Sequence, residues 1–151
     1  MDETWVLLDA NTGLHVGWYF WLRVLDEVNR SARYGAPFAL LLLEASAKPG
    51  TPARAPGDAV CRVPAVIRST DLGGFLGTWR VGVMLPHQDV EAAEAAQERI
   101  ISRLAGATPK GVRWNARLLC YPEDGAEISN LLTTGWSDRR LAPDVASGQP
   151  A

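Results

Sequence analysis

Residues Arg68 to Pro86, which read RSTDLGGFLGTWRVGVMLP, decide how the rest of the chain can fold. Two apolar, β-prone runs, Asp71–Leu76 and Trp79–Leu85, flank the pair Gly77-Thr78. A two-residue connection that contains glycine between such runs is typical of a tight β-hairpin. In the second run apolar residues recur at every second position, which predicts that one face packs on a core. They are Val81, Val83 and Leu85.

A helix and a strand are predicted before the hairpin. Gly17–Tyr34 has apolar residues spaced three and four apart, typical of an amphipathic helix, and Gly35 followed by Pro37 supplies its stop signal. The apolar residues of this face are Trp18, Trp21, Leu22, Leu25 and Val28, and the two tryptophans are expected to lie in the core or in an interface. Phe38–Leu43 is a continuous apolar run that ends at Glu44, too short for a helix. It favours a central strand buried on both faces.

The other segments are assigned from turn residues and periodicity. Prolines and glycines are frequent in Ala45–Gly57, which predicts a loop. Asp58–Ile67 has helical spacing, although Pro64 must kink this helix or delay its start. The segments after the hairpin are predicted to be a helix, an alternating strand and a short helix, over Asp89–Leu104, Val112–Tyr121 and Glu127–Thr133.

The order of these elements predicts an α/β sandwich with a central, mainly antiparallel sheet flanked by helices. We expect one domain over residues 1–140. Residues 141–151 contain prolines and glycine with little apolar content, which predicts a flexible tail.

Composition narrows the classes of function. The chain has 151 residues, 47% of them hydrophobic, and a net charge of −2, so it lacks the basic excess of a nucleic-acid-binding protein. No apolar run is long enough for a membrane span, and the N-terminus is acidic, which predicts a cytoplasmic protein without membrane contact. Cys61 and Cys120 lie far apart, outside any Cys/His cluster, so we expect no metal site, disulfide framework or cofactor.

The hairpin resembles the signature of GGDEF domains, the bacterial diguanylate cyclases that make cyclic di-GMP from GTP. Arg68-Ser69-Thr70-Asp71 matches the family's Arg-x-x-Asp pair; five residues later Gly77-Thr78-Trp79-Arg80-Val81 occupies the signature, and the strand ends at Leu85-Pro86. Two further stretches are similar to the family, the turn Asp9–Leu14 and the strand entry RYGAPFALLLL over Arg33–Leu43. The resemblance implies the GGDEF, nucleotidyl cyclase-like fold.

The signature itself departs from the family. In the family a carboxylate after the first strand and another in the signature hold the divalent metal; the first is kept as Glu44, but Arg80 occupies the second position. A guanidinium cannot ligate a cation and repels one. Thr78 and Trp79 replace a glycine and an acid, and the family's phosphate-binding lysine falls on Pro143. The resemblance thus implies a degenerate domain without cyclase activity, in which Glu44 is at best a relic of the metal site.

The Arg-x-x-Asp pair implies a different function. Family members often bind their product, cyclic di-GMP, at this pair with help from an arginine of the following helix, and the matching residues here are Arg68, Asp71 and Arg99. A guanidinium can donate two hydrogen bonds to guanine O6 and N7, and a carboxylate can accept from N1 and N2. The chain is therefore expected to be a receptor for cyclic di-GMP.

Two alternatives stay open. The pair can be a surface ion pair without a ligand, which contributes little to stability. The domain can also be a nucleotide-independent scaffold that binds a protein partner through Trp79 at an exposed hairpin tip or through the first helix, with a homodimer as one possibility. His15 and His87 lack neighbouring acids or cysteines and are expected to be surface residues.

Overall fold

The computed structural model describes residues 7–136. The helices in chain order are α1 (Gly17–Tyr34), α2 (Ala55–Val60), α3 (Val63–Val66), α4 (Val90–Ala107) and α5 (Gly125–Thr134). The strands are β1 (Phe38–Ala47), β2 (Leu72–Gly77), β3 (Arg80–Pro86) and β4 (Val112–Tyr121). The predicted tail, residues 141–151, lies outside the described residues.

The strands form one antiparallel sheet in the order β2-β3-β1-β4, with helices on both faces. The predicted α/β sandwich is confirmed. β1 is central and buried on both faces, but it runs to Ala47 rather than ending at Glu44. The prediction of a loop from Ala45 was wrong because the long partner strand β4 continues to pair with β1 as far as Ala47 opposite Val112.

Two cores lie on opposite faces of the sheet. The face that carries Val81, Val83 and Leu85, as predicted, also carries Leu41 and Leu43 and is covered by α2, α3 and α4. The other face carries Leu40, Leu42 and Met84 and is covered by α1 and α5. The sheet is thus apolar on both sides along its central strands, which explains the unbroken apolar run in β1.

Helix α1 has the predicted bounds, but a different face is buried. The buried residues are Phe20, Val24, Glu27 and Ser31. Phe20 fixes this rotation because its ring fills a hollow over Gly74 and Gly82, where a Cβ on Gly82 would lie 2.7 Å from the ring. The prediction that the apolar stripe faces the core was wrong for Leu22 and Leu25, which are 47% and 43% exposed, and Trp18, which is 60% exposed, does not lie in the core.

The hairpin turn is shifted by one residue from the prediction. Gly77 pairs with Arg80, so the connecting pair is Thr78-Trp79 rather than Gly77-Thr78. An irregularity in the pairing between Phe75 and Gly77 causes the shift, and Trp79 takes the left-handed backbone conformation, at φ 63°. Trp79 is half-buried against the core, so the expectation of an exposed tryptophan at the tip was also wrong.

The remaining helices follow the local sequence with shifted bounds. The segment around Pro64 divides into two short helices separated by Cys61-Arg62, and α2 begins at Ala55, inside the predicted loop. Pro56 and Pro64 each lie in a first turn, where proline is tolerated because its missing N–H has no helical partner. Helix α4 begins after Asp89, whose side chain accepts a 2.8 Å hydrogen bond from Ala92 N. Among residues 7–136, every helix is too short or too polar to cross a membrane.

Candidate functional site: the hairpin tip and the Arg68–Asp71 cleft

An ion pair lies at the tip of the hairpin, at the position of the predicted signature residues Gly77–Val81. Antiparallel pairing puts Arg80 of β3 directly beside Glu44 of β1 on the same face of the sheet. Arg80 Nε donates to Glu44 Oε2 at 2.9 Å, and the side chains are only 12% and 8% exposed. The guanidinium charge therefore neutralises the Glu44 carboxylate.

The ion pair forms part of the floor of a cavity of about 380 Å³. Its walls come from Leu76 to Arg80 of the hairpin, from Glu44 and Ala45 of β1, and from Trp136 after α5. The Trp136 ring lies over Arg80, with its centroid 4.8 Å from Cζ, which is a cation–π contact. Trp136 follows α5 in the sequence and reaches the hairpin only in the folded chain, so no local sequence pattern predicts this contact.

Metal ligands are sparse in the same region. Among residues 7–136 there is no group of three His, Cys, Asp or Glu side chains that could hold a metal ion. At the hairpin tip the Glu44 carboxylate already pairs with Arg80.

A second cluster forms at the Arg-x-x-Asp pair, before β2. Asp71 Oδ2 accepts a 2.9 Å hydrogen bond from the backbone N–H of Arg68 and lies 3.9 Å from Arg99 Nη2 of α4. The Asp71 side chain is 3% exposed and that of Arg99 is 22% exposed. Asp71 thus holds the turn and Arg99 together, while Arg68 itself is exposed.

The environment of Arg99 is unusual for an arginine. Burial is the largest cause that lowers the pKa of Arg99. The charges of Arg68 and Arg103 also lower this pKa, and the Asp71 carboxylate raises it. Its Nε is buried and has no hydrogen-bond partner within the described part of the chain. The Arg68 charge thus acts on Arg99 through space, and an anionic ligand near both residues would offset it.

A cleft of about 350 Å³ lies beside this cluster. One wall is formed by Pro64 and the Ile67–Asp71 segment, and the other by Gly13, Leu14 and His15. Gly73 between them has no room for a side chain, since a Cβ there would lie 2.8 Å from Leu14 Cδ2. Arg68 and Asp71 line the cleft, whereas Arg99 reaches them from α4 through the Asp71 carboxylate.

His15 is a cleft residue that sequence analysis assigned to the surface. Its ring is half-buried, stacks on Tyr19 with a centroid distance of 5.2 Å, and places Nδ1 3.2 Å from the Gly73 carbonyl oxygen. The surface assignment was wrong because residue 15 pairs with the hairpin strand β2, a contact that no local pattern reveals. The other histidine, His87, is exposed as expected and contacts Arg30.

The sequence matches no protein-family model, and no curated protein sequence is significantly similar to it. Solved structures do match. A DGC protein from Thermotoga maritima is 15% identical, with a TM-score of 0.64 over 85% of this chain and 100% of that one. The coiled coil and GGDEF domain of DgcB from Caulobacter crescentus, in complex with c-di-GMP, is 12% identical, with a TM-score of 0.68 over 85% and 77% of the two chains.

A third similar structure is a microbial GGDEF domain in a novel interaction mode with cyclic di-GMP. It is 20% identical to this chain, with a TM-score of 0.61 over 92% of this chain and 97% of that one. At such identities the likeness concerns architecture. The element order, the antiparallel sheet and these matches together establish that the chain has the fold of GGDEF domains.

Proposed function

We propose that this domain is a catalytically inactive member of the GGDEF fold that binds cyclic di-GMP at the Arg68–Asp71 cleft. The observation that carries the proposal is that Arg68 and Asp71 line the cleft and that Arg99 of α4 pairs with Asp71. Two of the similar structures contain, or are described with, cyclic di-GMP, which supports the choice of ligand.

Inactivity follows from the chemistry at the hairpin tip. Condensation of GTP requires divalent metal, held by carboxylate oxygens, to neutralise the triphosphate and to activate the attacking hydroxyl. The Glu44 carboxylate is already bound to a guanidinium 2.9 Å away, which a metal would have to displace. We expect no cyclic di-GMP from purified protein incubated with GTP and Mg²⁺, and product formation would refute this part of the proposal.

Binding of the dinucleotide follows from the charges around the cleft. Arg68 is exposed and can donate to phosphate or to guanine, while Arg99 is held in place by Asp71. Apolar side chains of Leu14, Pro64 and Ile67 give the cleft a surface against which a base can pack. The combination suits a ligand that is both anionic and aromatic.

Isothermal titration of cyclic di-GMP tests the proposal. We expect Arg68→Ala to weaken binding about tenfold or more, since a charge-assisted hydrogen bond is lost. Arg62→Ala is the matched control, because Arg62 is also exposed but does not line the cleft. Absence of heat with the wild type, or equal heats for wild type and Arg68→Ala, would reject the cleft as the site.

A second candidate function is an interaction scaffold, and the exposed face of α1 favours it. Trp18, Leu22 and Leu25 form an apolar stripe at helical spacing that is 43–60% exposed. An apolar helix of a partner can pack against such a stripe. A second copy of the chain is the simplest partner, because a two-fold dimer uses the same patch on both subunits. Sedimentation should then detect a dimer that Leu22→Glu dissociates; a monomeric wild type at high concentration counts against this self-association.

A further inference from the structure

The acceptor that the resemblance assigned to guanine is already engaged. Asp71 was expected to accept from the base, but its side chain is only 3% exposed. Its Oδ2 accepts from Arg68 N at 2.9 Å and lies 3.9 Å from Arg99 Nη2. A base in the cleft would have to displace these contacts in order to reach this oxygen. Because the whole Asp71 side chain is almost buried, an acceptor elsewhere in the cleft is better placed to meet the hydrogen-bond donors of the base.

His15 supplies such an acceptor in the facing wall. The Gly73 carbonyl oxygen, 3.2 Å from Nδ1, can only accept, so Nδ1 carries the proton. In the neutral ring Nε2 is then an acceptor. Nε2 has no hydrogen-bond partner within residues 7–136, and His15 lines the cleft together with Arg68.

The position of the ring is fixed before any ligand arrives. The backbone of residue 15 is bonded to the hairpin strand on both sides, by His15 N to Gly73 O at 2.9 Å and by Phe75 N to His15 O at 2.8 Å. The ring also stacks on Tyr19, whose hydroxyl oxygen accepts a 3.0 Å hydrogen bond from Arg23. Little ordering is therefore needed when a ligand binds.

We propose that His15 is a further ligand-binding residue of the cleft and that its Nε2 accepts a hydrogen bond from the 2-amino group of a guanine base. When Arg68 donates to O6 and N7 on one edge of the base, the amino group lies on the opposite edge, where an acceptor from another lining residue such as His15 can meet it. This inference rests on the proposed binding of cyclic di-GMP, and it assigns selectivity for guanine to a residue outside the Arg-x-x-Asp pair.

Titration calorimetry with two ligands and three variants tests the proposal. Cyclic di-GMP is compared with cyclic di-IMP, which lacks the 2-amino group. His15→Phe keeps a ring but has no acceptor, His15→Gln offers an amide oxygen, and His87→Ala changes the other histidine, which lies away from the cleft. Thermal unfolding of each variant verifies that the protein is folded.

We expect wild-type protein to prefer cyclic di-GMP, and His15→Phe to lose about tenfold in affinity for it while its affinity for cyclic di-IMP stays unchanged. His15→Gln should retain most of the preference, and His87→Ala all of it. Equal binding of cyclic di-GMP by His15→Phe and wild type overturns the assignment, as does an equal loss for both ligands.

The two proposals fail in different ways. If wild type binds and Arg68→Ala weakens binding while His15→Phe does not, the assignment of His15 alone is wrong. If wild-type protein binds neither ligand, the proposed function is wrong and the assignment of His15 falls with it.

Discussion

Arg80 forms the central ion pair of the hairpin tip. It pairs with Glu44 at 2.9 Å, and both side chains are nearly buried. A buried pair is weak evidence for stability as a whole, but removal of one partner takes away charge compensation from the other. The Arg80–Glu44 ion pair is therefore part of the structure of the hairpin tip.

Arg80→Ala should destabilise the fold, because the Glu44 carboxylate, in a side chain that is 8% exposed, loses this guanidinium. We expect a loss of about 3 kcal/mol in the free energy of unfolding, measured by urea denaturation. Arg62→Ala, at an exposed arginine, serves as the control and should change stability little. An Arg80→Ala protein as stable as the wild type contradicts the view that this ion pair is structural.

The element whose packing depends most on single residues is α1. Its rotation is set by Phe20 in the hollow over Gly74 and Gly82. The apolar spacing of the sequence predicted the bounds of the helix but not its buried face, because Trp18, Leu22 and Leu25 are as apolar as the stripe that is buried. The buried face depends on Gly74 of β2 and Gly82 of β3, whose missing side chains leave room for Phe20. The periodicity of α1 alone cannot reveal this contact.

Two glycine substitutions test this packing. Gly82→Ala places a Cβ 2.7 Å from the Phe20 ring and should destabilise the fold by about 2 kcal/mol. Gly106→Ala, in α4 with open space around the new Cβ, should instead stabilise it by about 0.5–1 kcal/mol. Chemical denaturation of both variants compares them directly. A tolerated Gly82→Ala would show that the Phe20 hollow is not tightly packed.

At the scale of the whole molecule, the fold was predictable and the site only partly so. The central strand, α1, α4 and β4 follow from periodicity and caps, and the spacing from Arg68 to Pro86 placed the hairpin. His15 and Trp136 were not predictable, because each reaches its site through pairing or packing with residues remote in sequence. Likewise, the burial of Asp71 follows from α4, which brings Arg99 to it.

Cyclic di-GMP is proposed to bind the Arg68–Asp71 cleft and not the hairpin tip. Titration of isotope-labelled protein with cyclic di-GMP, followed by amide chemical shifts, tests it most directly. If the ligand binds in the cleft, the amide signals of residues 13–15 and 67–73 should shift, and those of Thr78 and Glu44 should not. Shifts confined to the hairpin tip, or no shifts at all, would contradict it.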